Sequence, residues 1–197
     1  MESRAVVLSV AKDLIAGCHL ISACQAMRSF AALRMTSGDA MVSIRTARTG
    51  EGESLSALCV RSKAHWGYDA AFMAKSAAAL SVSEADIAAG RVLVAVDGAS
   101  RTIGVAGVVP QGGTADLDLM FVDPPAIGRG AGRMLFEAAA SLARRLGARR
   151  LTILADPNAA AFYERMGARF LRNAPSDAIP GRTLPLYEYD LMSGTIS

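Results

Sequence analysis

Cysteine is scarce in this chain: Cys18, Cys24 and Cys59 are the only three among 197 residues. Their spacing fits neither a metal-ligand pattern nor an even disulfide framework, so no metal is expected and a reducing, cytoplasmic setting is the simplest one. Cys59 follows Leu55 and Leu58 at helical spacing. That is the position of a small buried residue, a commoner fate for free cysteine than service as a nucleophile. Concentrated charge is also missing. Lys and Arg number 21 against 18 Asp and Glu, for a net +3. There is no long Lys/Arg run and no aromatic-interleaved basic stripe, which argues against a nucleic-acid partner. No apolar run approaches the length of a bilayer span, so no membrane partner is expected.

What is present has a globular balance, with 52% hydrophobic and 20% charged residues. That composition and length suit one packed domain. Residues 1–40 differ in character from the rest and lack a clean period. Ile15-Ala16-Gly17-Cys18 resembles a lipoprotein cleavage box, but Lys12 and Asp13 interrupt the apolar stretch before it, against a signal peptide. Arg28 and Arg34 among small residues hint weakly at a targeting helix. Two runs, Val7 to Leu14 and Arg28 to Thr36, resemble translated bacterial intergenic repeats. The expectation is a start placed upstream of a true one at Met41; an ordinary helical extension is the alternative. Residues 41–197 then form the domain.

Within it, residues 44–47 read as a strand, and 51–64 as a helix with Leu55, Leu58, Cys59 and Ser62 on one face. Residues 70–80 and 83–89 are Ala-rich and helical. Residues 91–96 form a β-branched strand closed by Asp97-Gly98, a hairpin signal, with 102–110 as its antiparallel partner. Residues 115–122 are the next strand. Residues 128–146 form a helix buried along Leu135, Ala138, Ala139, Leu142 and Leu146, capped by Gly147. A strand at 150–154, a helix at 159–166, and strands at 169–172 and 186–191 complete the chain. The fold class is α/β, in the α+β sense: a mixed, mostly antiparallel central sheet with helices on both faces.

The most informative segment runs from Phe121-Val122-Asp123-Pro124-Pro125-Ala126 into Ile127-Gly128-Arg129-Gly130-Ala131-Gly132-Arg133. A strand ends, a proline turn follows, and a glycine-rich loop opens a long helix. Glycines let the backbone approach a ligand and expose N–H groups, and the helix N-terminus favours an anion. Arg129 and Arg133 can add charge-assisted hydrogen bonds, so a pyrophosphate is the natural guest. No Gly-Lys-Ser/Thr follows, and no second βαβ unit with a ribose-binding acid is present, which disfavours nucleotide-dependent enzymes.

This loop resembles the acetyl-CoA loop of the GCN5-related N-acetyltransferases (GNAT), Arg/Gln-x-x-Gly-x-Gly/Ala, with Ile127 standing where Arg or Gln is usual. Ala155-Asp156-Pro157-Asn158-Ala159-Ala160-Ala161-Phe162-Tyr163-Glu164-Arg165-Met166-Gly167 is similar to the family's later motif, with Asn158 two residues closer to Phe162-Tyr163 than in some members. The resemblance covers about residues 42–192. It implies a GNAT-like fold and transfer of an acetyl group from acetyl-CoA, a co-substrate, to a small-molecule or peptide amine by direct attack in a ternary complex. It adds Met120, Phe121, Val122 and Asn158 to the coenzyme site; capping the helix that begins at Ala159 is the other reading of Asn158. Tyr163 matches the family tyrosine whose hydroxyl points at the coenzyme sulfur, and so becomes both coenzyme ligand and general acid. The family commonly has Glu where Asp116 falls, making Asp116 the first candidate base and Asp118 the second. Strand alternation puts Asp116, Asp118, Met120 and Val122 on one face and Leu117, Leu119 and Phe121 on the other. The family builds its acceptor site after the first helix, which implies roles for His65, Trp66 and Tyr68; Arg182, in a late loop, joins them. A homodimer is allowed for. A non-catalytic acyl-CoA sensor on the same fold is the competing reading, one that loss of Tyr163 or of both acids would favour.

Overall fold

The computed structural model describes residues 41–176 and 178–192. The expectations for residues 1–40, Cys18 and Cys24 among them, lie outside the described residues.

Seven strands make one sheet: β1 (Ser43–Thr46), β2 (Val92–Val96), β3 (Thr102–Gln111), β4 (Thr114–Val122), β5 (Arg150–Leu154), β6 (Arg169–Pro175) and β7 (Thr183–Asp190). Their order is β1-β2-β3-β4-β5-β7-β6, and every neighbouring pair is antiparallel except β4 and β5. The mostly antiparallel sheet with helices on both faces is therefore as the sequence implies. Helices α1 (Gly52–Ala64), α2 (Ala70–Ser76) and α3 (Glu84–Ala88) belong to one side. There Leu55, Leu58, Cys59 and Ile87 pack on Val92, Val94, Val105 and Leu119. On the other side, α4 (Ala131–Arg145) and α5 (Ala160–Arg165) close over Leu93, Ala106, Val108, Leu117, Leu151 and Ile153. The run Val92-Leu93-Val94-Ala95 is buried throughout because the sheet is covered on both faces there.

Boundaries in three places, at α4, at residues 70–80 and at β7, differ from the periodicity. Helix α4 begins at Ala131, not at 128, because Gly128 and Gly130 adopt φ of 82° and 84°, left-handed values that keep the chain out of the helix. It ends at Arg145, so Leu146 is a cap residue, 40% exposed, and the buried stripe is Met134, Leu135, Phe136, Ala139, Leu142 and Ala143. Residues 70–80 split into α2 and a 3-10 turn, Ala78–Leu80. Strand β7 starts earlier than expected; Pro185, which has no N–H to donate, lies just past the last β5 rung and accepts from Ala155 N at 2.9 Å.

The largest departure is inside β4. Gly107 of β3 pairs with Leu119, but the next residue, Val108, pairs with Leu117, so Asp118 is an extra residue. This bulge reverses the alternation. Ala115 and Leu117 sit in the α4 core, whereas Leu119 sits in the α1 core, with Phe121 packed beside it and Met120 and Val122 turned to α4. The expected single face of Asp116, Asp118, Met120 and Val122 is thus broken in two. Gly107 makes room at this point: a Cβ there would meet the Leu119 side chain at 3.1 Å.

Candidate active site

Strands β4 and β5 run in parallel for only three rungs, Thr114 to Asp116 against Arg150 to Thr152. Beyond Asp116, β4 keeps its bonds to β3 as far as Val122, and β5 keeps its bonds to β7. The two strands therefore part, and the edge of β4 from Leu117 to Val122 faces an open gap with no strand partner. An extended chain carrying amides can bond to such an edge as an added strand does.

The gap leads to the glycine loop. A 3-10 turn, Pro124–Ala126, follows β4, and Gly130 caps α4. The N–H groups of Gly128, Gly130, Ala131, Gly132 and Arg133 find no acceptor among the described residues. Space above Gly128 and Gly130 is open, since a Cβ built on either meets nothing within 4 Å. Five unspent donors at the head of a 15-residue helix form an anion cradle. Arg129 is exposed beside it. Arg133 instead turns along the helix to Glu137 at 2.8 Å. Ile127, in the place of the usual Arg or Gln, is 42% exposed and offers the loop no polar contact.

Across from the loop, α5 holds Tyr163 in an aromatic group with Phe136, Phe162 and Tyr187. Tyr163 is 5% exposed, and its hydroxyl has no hydrogen-bond partner among the described residues. Burial, with the nearby Asp156 carboxylate adding to it, pushes the phenol well above its usual range. The group stays protonated at neutral pH, a donor without an acceptor.

The two strand acids part company. Asp116 occupies the last rung before the gap, where it accepts from the Thr152 hydroxyl. Asp118, on the bulge, borders a recess of about 20 Å³ lined by Ser81, Ser83, Asp86 and Arg91. Burial of the carboxyl raises its pKa, with the charges of Asp86 and Asp116 contributing, although the residue keeps one side open to solvent.

Of the four acceptor-site candidates, the structure joins two. Arg182 gives the Tyr68 hydroxyl a hydrogen bond of 3.0 Å. Around this pair stand three residues that the sequence reading assigned no role. Asp156 accepts from Tyr68, and Lys63 is ion-paired to Asp156. Phe72 stacks on Tyr68 with ring centres 4.1 Å apart. Burial alone would raise the Asp156 pKa, but hydrogen bonds from Lys63, Asn158 N–H and Tyr68 prevail and hold it below the usual carboxylate range. His65 and Trp66 do not join this group; they are exposed and pack edge to face on each other, 5.4 Å apart. Asn158 does not cap α5. Asp156 caps the turn before it, accepting from Asn158 N at 3.0 Å, and the Asn158 amide donates to Asp156 and Tyr68. Asp-Pro after a strand is a turn-starting signal that makes Asp156 findable in the sequence. Phe72, one aromatic in an Ala-rich run, carries no such signal. Cys59 is wholly buried, and that burial pushes its thiol up to about 12, as suits a core residue.

Comparison with known proteins points the same way. Residues 88–167, from α3 through α5, match a family model described as an acetyltransferase (GNAT) domain. A GCN5-related N-acetyltransferase from Rhodopseudomonas palustris superposes with a TM-score of 0.62 at 24% identity, over 79% of this chain and 98% of that one. PaiA N-acetyltransferase from Thermoplasma acidophilum, solved in complex with coenzyme A, gives 0.62 at 15% identity, over 76% and 98%. YncA from Salmonella typhimurium, solved with its cofactor acetyl-CoA, gives 0.55 at 21% identity, over 76% and 94%. No curated protein matches by sequence. The family match lies on the strands, loop and helices that frame the gap, and the fold is that of the GNAT acetyltransferases.

Proposed function

We propose that the protein transfers the acetyl group of acetyl-CoA to an amine by direct attack in a ternary complex. The observation that carries this reading is the run of five unspent N–H donors at the start of α4, beside the unpaired edge of β4. The residues fit the coenzyme. Gly128 to Arg133 present donors for a pyrophosphate, with Arg129 available for further charge. The β4 edge at Met120, Phe121 and Val122 offers main-chain partners for the amides of the pantetheine arm. Bound there, acetyl-CoA supplies the activated acyl carbon.

The protein's own contribution is proton management. An alkyl ammonium with a pKa near ~10.4 must first lose a proton. Asp116, standing where β4 and β5 part, is assigned as the group that receives it, directly or through water. The amine lone pair then forms the N–C bond as the C–S bond breaks; Tyr163 gives its proton to the departing thiolate, and the proton shed by the acetylated nitrogen returns through water to restore the phenol. Asp118 fits the base role less well, because its recess is bordered by α3-side residues and not by β5. A coenzyme sensor without catalysis gains no support, because Tyr163 and both strand acids, whose loss would favour it, are present.

The test is Tyr163→Phe, which keeps the ring in its aromatic group and removes only the donor. Thiol release from acetyl-CoA against a panel of amines and peptides should show turnover lower by about 10²-fold, with coenzyme affinity and melting temperature nearly unchanged. Turnover within about twofold of the parent contradicts the acid role.

A further inference from the structure

Five side chains meet around Asp156: Lys63 on α1, Tyr68 before α2, Phe72 in α2, Asn158 after β5, and Arg182 before β7. Two cations face one carboxylate, which leaves a formal charge of +1 among side chains only 15–20% exposed. Asp156 has no lone pair to spare. Oδ1 accepts from Asn158 N and Asn158 Nδ2, Oδ2 accepts from Lys63, and the single Tyr68 hydroxyl proton, within reach of both oxygens and nearer Oδ2, fills the fourth position. The donors are far from spent. Arg182 carries five N–H groups and uses one nitrogen, on Tyr68 at 3.0 Å, with Asp156 at 3.7 Å. Lys63 gives Asp156 one of its three.

The ring faces are taken as well. Lys63 lies 5.0 Å from the Tyr68 ring centre, and Arg182 lies 4.7 Å from that of Phe72. An ammonium arriving here meets two like charges, a filled carboxylate and covered aromatic faces. A carboxylate meets idle donors and a single compensating charge, in surroundings where a lost charge-assisted bond is costly. A phosphate monoester brings nearly two negative charges against one.

We propose that this cluster holds a carboxylate of the acceptor, so that the substrates are amines that also carry a carboxyl group. Arg182 is the residue that selects them, with Lys63 assisting. The inference rests on the acetyl-transfer reading and names the substrate class for it.

The test compares α-, β- and γ-amino acids with their primary amides, which keep shape and amine but lose the charge. Thiol release from acetyl-CoA should favour the best amino acid over its amide by roughly 30-fold in kcat/KM. Arg182→Gln should erase that preference through KM while leaving the KM for acetyl-CoA unchanged, and Arg182→Lys should restore part of it. Calorimetry of the same amino acids and amides on the coenzyme A-loaded protein reads the preference without turnover. Amides used or bound as well as amino acids overturn the proposal. A rise in the acetyl-CoA KM alone in Arg182→Gln overturns it too, by giving the cluster to the coenzyme. Absence of thiol release with every amine, alongside preferential binding of amino acids, instead sinks the acetyl-transfer reading and spares the anion site.

Discussion

Asp118 shows how a single inserted residue redirects chemistry. Alternation along the strand paired it with Asp116, but the bulge separates them and sends Asp118 to a recess beside Asp86. Nothing in Asp116-Leu117-Asp118-Leu119 announces the bulge, because it depends on how β3 and β4 register across the sheet. The place of Tyr163 on a short helix after β5 was legible for the opposite reason: it follows from a local motif, with Asp156-Pro157 opening the turn and Gly167 closing the helix. The raised pKa of Asp118 yields a stability prediction. The unfolded carboxyl ionises near ~3.9 and the folded one later, so ionisation opposes folding as pH rises through that window. Asp118→Asn has no charge to suppress. It should melt higher than the parent at pH 7 and equal to it at about pH 3, read by calorimetric scanning; a lower melting point at pH 7 contradicts the account.

At the scale of elements, long periodic segments were readable and short connected ones were not. Helix α4 was evident from its apolar stripe, yet its first turn was misplaced because the glycines that open it are left-handed. The cluster around Asp156 draws on α1, α2 and two loops, and contacts between residues 88 and 114 apart leave no local trace. Helix α1 shows the same non-local support. Its first N–H group, on Gly52, and that of Gly50 in the turn before it are met by Glu84 of α3, which accepts from them at 2.9 and 3.0 Å. Glu84→Ala leaves both donors without that partner and should cost about 1 kcal/mol of stability in urea unfolding. Acetyl-CoA affinity should stay unchanged, because the Glu84 carboxylate bonds the start of α1 and not the glycine loop; an equal loss of affinity would show that α1 and the coenzyme site are coupled.

For the whole molecule, both cores are lined by described residues from Val42 to Leu191, and we propose residues 41–197 as the acetyltransferase domain. The fold class was legible because binary patterning and turn signals recur along the entire chain. The parting of β4 from β5 was not, although it is the feature on which the site depends: it arises where one parallel pairing ends within an otherwise antiparallel sheet. The central claim is that coenzyme binds at this gap through the backbone of the Gly128 to Arg133 loop. Calorimetric titration of acetyl-CoA into the parent and into Gly130→Asp tests it most directly. An Asp side chain strains a backbone held at φ 84° and sets a negative charge among the donors meant for phosphate. The account predicts one-to-one binding by the parent and affinity at least about 30-fold weaker in the variant, some 2 kcal/mol. No binding by the parent, or equal affinity in a folded variant, would contradict it.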